Sequence, residues 1–324
     1  MKQTTAEVTA ESEDQSGRGA VRKKHPRFQH IRYQTKGDVA VDAVATTIGV
    51  IFALLCLIPF LFVIGTSFSS EASLTEYGIH IIPHSFSLAA YQMLFQGKQI
   101  FMSYGVTIFI TVVGTLLSLT LSAMMAYPLS TGRLKLGGTI NFLVYFTMLF
   151  GAGLVPSYLL ISKYLHMDNT IWVLIIPGVI SPWNMFLLRN FFASIPRSLS
   201  ESAEMDGASE MTILFKIILP VAKPALATIG LFYALGYWNA WFGALLYISD
   251  PNLYPLQFLI MKIMKNVEAI QEAARQGVAI STANLPDITA KMATAVVTIG
   301  PVVVFYPFVQ KYFTSGLMVG SVKG

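Results

Sequence analysis

The chain has 324 residues, of which 54% are hydrophobic and only 12% are charged. An ordinary soluble domain carries about 25% charged residues, so this composition excludes a soluble globule and indicates a protein built for a lipid bilayer. The single cysteine, Cys56, excludes a disulfide framework and a cysteine-rich zinc site, because either needs several thiols. The net charge of +5 is too small to indicate a nucleic-acid partner.

Six stretches without Asp, Glu, Lys or Arg are long enough to cross a membrane. A hydrocarbon core about 30 Å thick needs roughly 20 helical residues. Each stretch is rich in Leu, Ile, Val, Phe and Ala, and none shows the alternation of a barrel strand. They predict an all-α membrane protein with six transmembrane helices, at about 43–70, 101–130, 138–162, 169–188, 224–249 and 292–310.

Basic residues are distributed unevenly between the two sides that six spans create. One side holds sixteen Lys and Arg residues, with eight in the N-terminal arm, two in the 133–135 turn, four in residues 189–223 and two in the tail. The other side holds six. The positive-inside rule therefore predicts that both termini are cytoplasmic. Residues 1–40 are expected to form a disordered basic arm, because they have little apolar surface to bury, and residues 41–324 a six-span domain.

A long loop between the fourth and fifth predicted spans, residues 196–223, carries helix start and stop signals. Ser198 and Glu201 have the spacing of a capping box, so a helix should start at about Leu199. Gly207 supplies the left-handed residue that ends this helix. The sequence therefore predicts a short helix outside the bilayer, closed by a glycine turn.

A second short helix is predicted after this turn. Ser209 can cap its start, and it should run as far as Leu219 and Pro220. The first part of the loop is acidic, and its acidic residues are Glu201, Glu204, Asp206 and Glu210. Two interpretations stay open at this point, a surface that docks onto another protein and a solvated connector on the membrane surface.

The loop resembles the EAA signature of the inner-membrane permease subunits of ATP-binding-cassette (ABC) importers, in which Glu-Ala-Ala is followed by Gly and then by Ile-x-Leu-Pro. The matching residues are Glu201-Ser202-Ala203, Gly207 and Ile217-Ile218-Leu219-Pro220, with Ser202 in place of an equally small Ala. Residues 205–209 and 223–226 look like the carbohydrate branch, the maltose-type permeases. Residues 312–324 are similar to the subgroup that imports oligosaccharides, including uronate-containing ones.

The resemblance implies the type I ABC importer permease fold in a prokaryotic cytoplasmic membrane. In that family the loop forms a coupling helix that sits in a cleft of a cytoplasmic ATPase dimer, and the permease halves alternate between inward and outward access. The residues that this resemblance assigns to ATPase coupling are Glu201, Ser202, Ala203, Asp206, Gly207, Ala208, Leu219 and Pro220. It also implies a second homologous permease subunit, an extracytoplasmic solute-binding protein and a carbohydrate substrate.

The chain has no G-x-x-x-x-G-K-[ST] phosphate loop. No cofactor is therefore expected on this chain, and the resemblance places ATP and Mg²⁺ on the partner ATPase. No nucleophile elbow or H-E-x-x-H motif is present, so no catalytic residue is predicted. His80 and His84 are four residues apart, but Pro83 between them disfavours a helix and no third ligand lies nearby, so no metal site is predicted.

The fifth predicted span contains a candidate solute path. Counted from Pro224, Trp238 lies about 21 Å along a helix that rises 1.5 Å per residue, which is deeper than an interfacial aromatic belt. Aromatic rings stack on the apolar faces of sugars and amides pair with their hydroxyls. The candidates are Tyr237, Trp238, Asn239 and Trp241. The alternative is helix packing through a stripe of Gly236, Asn239 and Gly243.

The outer segment 250–291 begins with a turn that is the best candidate for docking the solute-binding protein. Asp250, Asn252 and Tyr254 are the residues that we assign to it. An ordinary surface or re-entrant helix is the alternative for this segment. For the whole chain, the alternative to a permease is a six-span membrane enzyme or scaffold whose acidic loop recruits a partner.

Overall fold

The structure is a computed structural model that describes residues 36–276 and 288–318. The chain divides into two compact units, residues 1–56 and residues 57–324. Most of the predicted N-terminal arm lies outside the described residues, as does the end of the tail. Residues 36–40 are already helical, so the boundary predicted at residue 40 falls inside the first helix.

The described residues are almost entirely helical. The α-helices in chain order are α1 (Lys36–Ser67), α2 (Glu71–Tyr77), α3 (Ala89–Leu94), α4 (Gln99–Thr131), α5 (Gly137–Leu149), α6 (Leu154–Leu159), α7 (Pro182–Ser194), α8 (Ser198–Met205), α9 (Glu210–Ile213), α10 (Leu219–Val221), α11 (Lys223–Trp238), α12 (Phe242–Tyr247), α13 (Leu256–Arg275) and α14 (Ile288–Met318). Short 3₁₀ segments lie at Ile171–Leu174, Ile176–Gly178 and Pro251–Leu253, and π segments at Leu160–Tyr164 and Leu214–Ile218.

Two of the described helices, α1 and α4, are long and apolar enough to cross a bilayer as single helices. Three bent pairs also qualify when each pair is taken as one span, which gives up to five candidates among the described residues. A shorter apolar helix covers Ile288–Val303, where the sixth span is predicted. The charge-free stretches therefore correspond to apolar helices, but the absence of charge does not show where those helices break.

The third and fourth predicted spans are bent rather than straight. Residues 137–164 turn by 111° between α5 and α6, where Gly153 takes a φ of +83° that residues with a Cβ rarely adopt. The fourth turns by 50° ahead of α7, where the Ser181 hydroxyl accepts a hydrogen bond from the Asn184 amide and Pro182 occupies the first helical turn. Glycine, proline and capping residues, not charges, set these breaks.

The fifth predicted span, 224–249, is also interrupted. Helix α11 ends at Trp238 and α12 begins at Phe242. The predicted stripe of Gly236, Asn239 and Gly243 is therefore wrong, because its members do not share one continuous helix. A Cβ added at Gly236 meets no atom within 4 Å, so this glycine provides no close helix contact.

Helix α4 is the central helix of the second unit, and it packs against both α11 and α7. Two tyrosines of α11 hydrogen-bond to serines of α4. The hydroxyls of Tyr237 and Ser118 are 2.9 Å apart, and those of Tyr233 and Ser122 are 2.7 Å apart. All four residues are buried. Such pairs stabilise polar side chains inside an apolar helix bundle, because a hydroxyl without a partner there is costly.

Gly114 makes the close approach of α4 and α11 possible. A Cβ at this position would lie 2.7 Å from the ring of Tyr237, which is held at its hydroxyl by Ser118 and Ile175. We therefore expect Gly114→Ala to lower the free energy of unfolding by about 1–3 kcal/mol, as overpacked cores do. Gly105→Ala on the same helix is the control, because no atom lies within 4 Å of its Cβ. Thermal unfolding in detergent measures both, and equal midpoints for the two variants would contradict the packing.

Candidate functional site

The loop of residues 196–223, called the coupling loop below, contains the two helices and the glycine turn that the sequence predicts. Helix α8 ends at Met205, and Gly207 follows with a φ of +79°. The Gly207 amide donates to the Glu204 carbonyl at 2.9 Å. Ser209 then caps α9, since its hydroxyl accepts a hydrogen bond from the Thr212 amide at 3.3 Å. The helix, the glycine turn and the second helix are confirmed.

The predicted capping box at Ser198 is wrong. Helix α8 begins at Ser198 itself, and the residue before it, Arg197, has helical backbone angles and makes no capping contact. A capping side chain must sit on a residue with extended backbone, and Ser198 lies one position too late for that role. The chain instead enters the helix through a turn in which the Leu199 amide donates to the Pro196 carbonyl at 3.2 Å.

The signature residues divide into an inward and an outward set. Ala203 and Ala208 are half-buried and pack against an apolar core that includes Met185 and Leu188. The outward residues are Glu201, Ser202, Asp206 and Gly207, and all of them are exposed. The small side chains of Ala203 and Ala208 let the loop lie close to this core, while the polar face remains accessible to a partner.

Among the residues whose side-chain exposure the structure describes, Met205 is the most exposed large apolar one, at 89%. It stands at the end of α8, directly before the glycine turn. Exposed Glu201 and Asp206 lie beside it. A partner that covers this apolar side chain removes it from water, which stabilises the complex. The sequence showed Met205 only as one of several apolar residues in an acidic segment, and its exposure required the structure.

Two of the four acidic residues make contacts within the permease chain. The guanidinium of Arg133, in the turn after α4, donates to the Glu204 carboxylate. The buried Tyr127 hydroxyl donates to Oε2 of Glu210 at 2.7 Å. Hydrogen bonding to the Glu204 carboxylate is the main reason that the pKa of Arg133 is raised. The sequence alone indicates no role for Arg133 or Tyr127, because their partners lie over 70 residues away.

Pro220 explains an irregular turn at the end of the signature. A proline has no amide hydrogen for the carbonyl four residues earlier, and its ring crowds that carbonyl. Residues Leu214–Ile218 form a π turn, in which the Leu219 amide bonds to the Leu214 carbonyl. The chain then bends by 86° between residues 210–221 and α11. The Leu219–Pro220 pair thus lies at the junction between the loop and the helix that it joins.

Tyr237 and Trp238 are anchored in the protein interior. The Tyr237 hydroxyl donates to the Ile175 carbonyl at 3.2 Å, and it can then accept from Ser118. The indole nitrogen of Trp238 donates to the Thr298 carbonyl at 3.3 Å. Both rings pack in the same apolar core. Their positions are those of structural residues that hold α11 against α4 and α14.

Asn239 and Trp241 are exposed at the break after α11. The Asn239 amide donates to the Leu235 carbonyl at 2.9 Å, and its oxygen accepts from Gln257 at 3.3 Å. The Trp241 side chain is 41% exposed and meets Phe242 edge to face. Of the four predicted path residues, these two leave an amide and an indole surface accessible.

The predicted docking turn is a 3₁₀ turn capped by Asp250, whose carboxylate accepts from the Asn252 amide at 2.9 Å. The Asn169 side chain holds its start by accepting from the Asp250 amide at 2.8 Å. Asn252 is exposed, but Tyr254 is buried. Lys262 lies over the Tyr254 ring and donates to its hydroxyl at 3.0 Å. Tyr254 is therefore a support for the turn and offers little surface to a partner.

The chain is similar to several transport proteins. A permease protein of the polygalacturonan/rhamnogalacturonan transport system, YtcP of Bacillus subtilis, is 43% identical over 84% of this chain and 94% of the relative. Protein LplC of the same organism is 42% identical over 83% of this chain and 90% of its own length. A solved structure described as a bacterial ABC transporter involved in the import of the acidic polysaccharide alginate superposes with a TM-score of 0.74. The two sequences are 34% identical, and the match covers 87% of this chain and 99% of the chain in that structure.

The family model described as binding-protein-dependent transport system inner membrane component matches residues 32–319. This range includes the whole coupling loop and every described helix. The components of this family are permeases, and ATP hydrolysis is performed by a separate ATPase. The chain belongs to the family of binding-protein-dependent transport system inner membrane components and is a permease subunit of an ABC importer.

Proposed function

We propose that this chain imports acidic oligosaccharides that contain uronic acid, as one of the two permease subunits of an ATP-driven carbohydrate importer. The observation that carries the mechanism is the coupling loop, a helix, a glycine turn and a helix with an exposed polar face. The substrate class rests on similarity to a polygalacturonan/rhamnogalacturonan permease and to an importer of acidic alginate. Both named substrates carry carboxylates.

The proposed topology has six spans in a prokaryotic cytoplasmic membrane, with both termini in the cytoplasm. The basic residues of the arm and of the loop would then lie on the same side. The proposed arm is residues 1–40 and the permease domain residues 41–324. The bends within the third and fourth spans suit this position, because irregular backbone at membrane depth is tolerated where protein surrounds it or a cavity opens.

The exposed face of the coupling loop docks onto an ATPase dimer that binds ATP and Mg²⁺. Glu201, Ser202 and Asp206 face the partner, while Ala203 and Ala208 hold the loop to the permease. The turn at Gly207 and the junction at Leu219 and Pro220 set the angle between the loop and α11. Closure of the ATPases would then tilt the permease as a rigid body, which is the motion that alternating access requires.

On the opposite side, the turn at Asp250 and Asn252 meets the extracytoplasmic solute-binding protein. The Asn169 side chain and Gln99, which donates to the Pro251 carbonyl at 2.6 Å, hold this turn in place. A turn fixed at both sides suits docking, because little conformational entropy is lost on binding.

Trp241 is the best candidate for a sugar-contacting residue. Its indole face is accessible, and Asn239 lies two residues away with its amide near the surface. We expect Trp241→Ala to raise the KM for uptake by about five- to tenfold, as the loss of one stacking contact of about 1 kcal/mol or more predicts. Trp183→Ala is the matched control, since Trp183 is also exposed, at 61%, but lies in another helix. Unchanged uptake kinetics for Trp241→Ala would exclude this role.

The substrate proposal is tested in proteoliposomes that contain this chain, the second permease, the ATPase and the binding protein. Labelled oligogalacturonides are the probe, and neutral malto-oligosaccharides of equal length are the comparison. We expect ATP-dependent accumulation of the acidic sugar only. An ATPase variant without its phosphate-loop lysine is the control for energy coupling. Uptake of the neutral sugar alone would contradict the acidic substrate class.

A further inference from the structure

The end of α4 contacts both helices of the coupling loop, one on each side of Gly207. Arg133 lies just after α4, where Gly132 with a φ of +71° reverses the chain. Its guanidinium binds Glu204 on α8 and lies 4.0 Å from a carboxylate oxygen of Glu210 at the start of α9.

A second contact comes from the last turns of α4 itself. The Tyr127 hydroxyl donates to Glu210, so this carboxylate is bonded to α4 and also lies near Arg133. Tyr127 is only 7% exposed and packs in the core that includes Ile213 of α9. Two carboxylates on two helices are thus held by two residues from one helix end. The glycine turn between them, which would otherwise act as a hinge, is closed at both sides.

Global stability does not explain the Arg133 contact. The side chain of Arg133 is 52% exposed and that of Glu204 is 32% exposed. Exposed ion pairs contribute little to the free energy of folding, because water screens them and long side chains lose entropy. The contact nevertheless joins two segments that the sequence separates by 71 residues. Its position is suited to fixing the orientation of α8 relative to the end of α4.

Helix α4 connects this contact to the candidate path. Between Tyr127 and Gly114, two serines of α4 bond the tyrosines of α11, and Tyr237 lies two residues before Asn239 and four before Trp241, the two accessible path candidates. Contacts therefore run without a gap from the coupling loop through Arg133 and Tyr127 to α4, and from α4 to the end of α11 through these hydroxyls.

We propose that Arg133 is a positioning residue for energy coupling, which fixes both helices of the coupling loop to the end of α4 so that they move as one body. This role rests on the proposed function of the loop as the ATPase contact. Arg133 touches neither ATP nor sugar and acts through Glu204 and Glu210. Without it, the ATPases would still turn over, but part of their motion would bend the loop at Gly207 and be lost to transport.

The first test measures amide hydrogen exchange in the purified full-length permease in detergent. We expect Arg133→Gln to speed exchange of residues 198–213 by about two- to fivefold, the range that an exposed ion-pair network allows. Lys135→Gln is the matched control, because it removes the same charge from the same turn and should leave exchange unchanged. Equal exchange in Arg133→Gln and the wild type, or an equal rise in Lys135→Gln, would overturn the proposal.

The second test measures sugar transported per ATP hydrolysed, in the proteoliposomes described above with oligogalacturonide as the probe. We expect this ratio to fall about two- to fivefold in Arg133→Gln and in Glu204→Gln, and the double variant to be no worse than either single one, since both remove one contact. Arg133→Lys should restore part of the ratio. An unchanged ratio, or a parallel loss of uptake and ATP hydrolysis, would overturn the coupling role. Absence of uptake in the wild type would instead refute the proposed function, and the exchange result would still decide whether Arg133 holds the loop.

Discussion

Replacing Gly207 by valine is expected to lower ATP-dependent uptake by about tenfold or more, because a left-handed backbone costs a residue with a Cβ about 1–2 kcal/mol and a β-branched residue more. Gly207 has a φ of +79°, and no atom lies within 4 Å of a Cβ built on it. The penalty therefore comes from backbone strain and not from a clash. Relief of the strain would change the angle between α8 and α9, and with it the surface offered to the ATPase.

Gly207→Asn separates the two causes of a defect at this turn. Asparagine adopts left-handed angles more readily than other residues with a Cβ, and its side chain has free space here. We expect this variant to keep most of the uptake, while both variants reach the membrane in equal amounts. Normal uptake by Gly207→Val, measured in the same vesicles, would show that the turn does not transmit the ATPase motion.

Met205→Asp is expected to weaken binding of the ATPase by about tenfold or more. Covering a methionine side chain stabilises a complex by about 1.5–3 kcal/mol, and an aspartate at that place adds the cost of removing a charge from water. The side chain is 89% exposed at the end of α8, so its replacement should not disturb the permease fold. The amount of ATPase that co-purifies with the tagged permease measures the effect.

Met205→Leu is the control for this prediction, because it keeps an apolar side chain of similar volume. It should retain ATPase at nearly the wild-type level. If Met205→Asp binds as much ATPase as the wild type, Met205 lies outside the docking surface and the contact must be polar.

The loop itself was predictable because its signals are local. A left-handed glycine and a capping serine act within a few residues, so the turn at Gly207 and the cap at Ser209 follow from sequence alone. The start of α8 was misplaced for a related reason, since a Ser-x-x-Glu spacing does not show which backbone angles Arg197 will take. Helix breaks at Gly153 and Ser181 were missed because absence of charge measures only compatibility with lipid.

The contacts that join distant segments were not predictable. In the sequence, Arg133 is only one positive charge among the sixteen predicted on its side of the membrane. Its pairing with Glu204 depends on how α4 and α8 pack, which no local pattern encodes. In the same way, aromatic composition marked Tyr237 and Trp238 as path residues, whereas their hydrogen bonds to Ile175 and Thr298 anchor them in the protein.

If this chain works as a permease subunit of an ATP-driven importer, it should be found together with the other subunits of that importer in the cell. The tagged chain would be expressed in its native genomic setting, extracted in a mild detergent and analysed by mass spectrometry. We predict an ATPase with a phosphate-loop motif and a second, homologous permease, in amounts comparable to the chain itself. A folded chain that purifies without an ATPase in every detergent tried would contradict the claim.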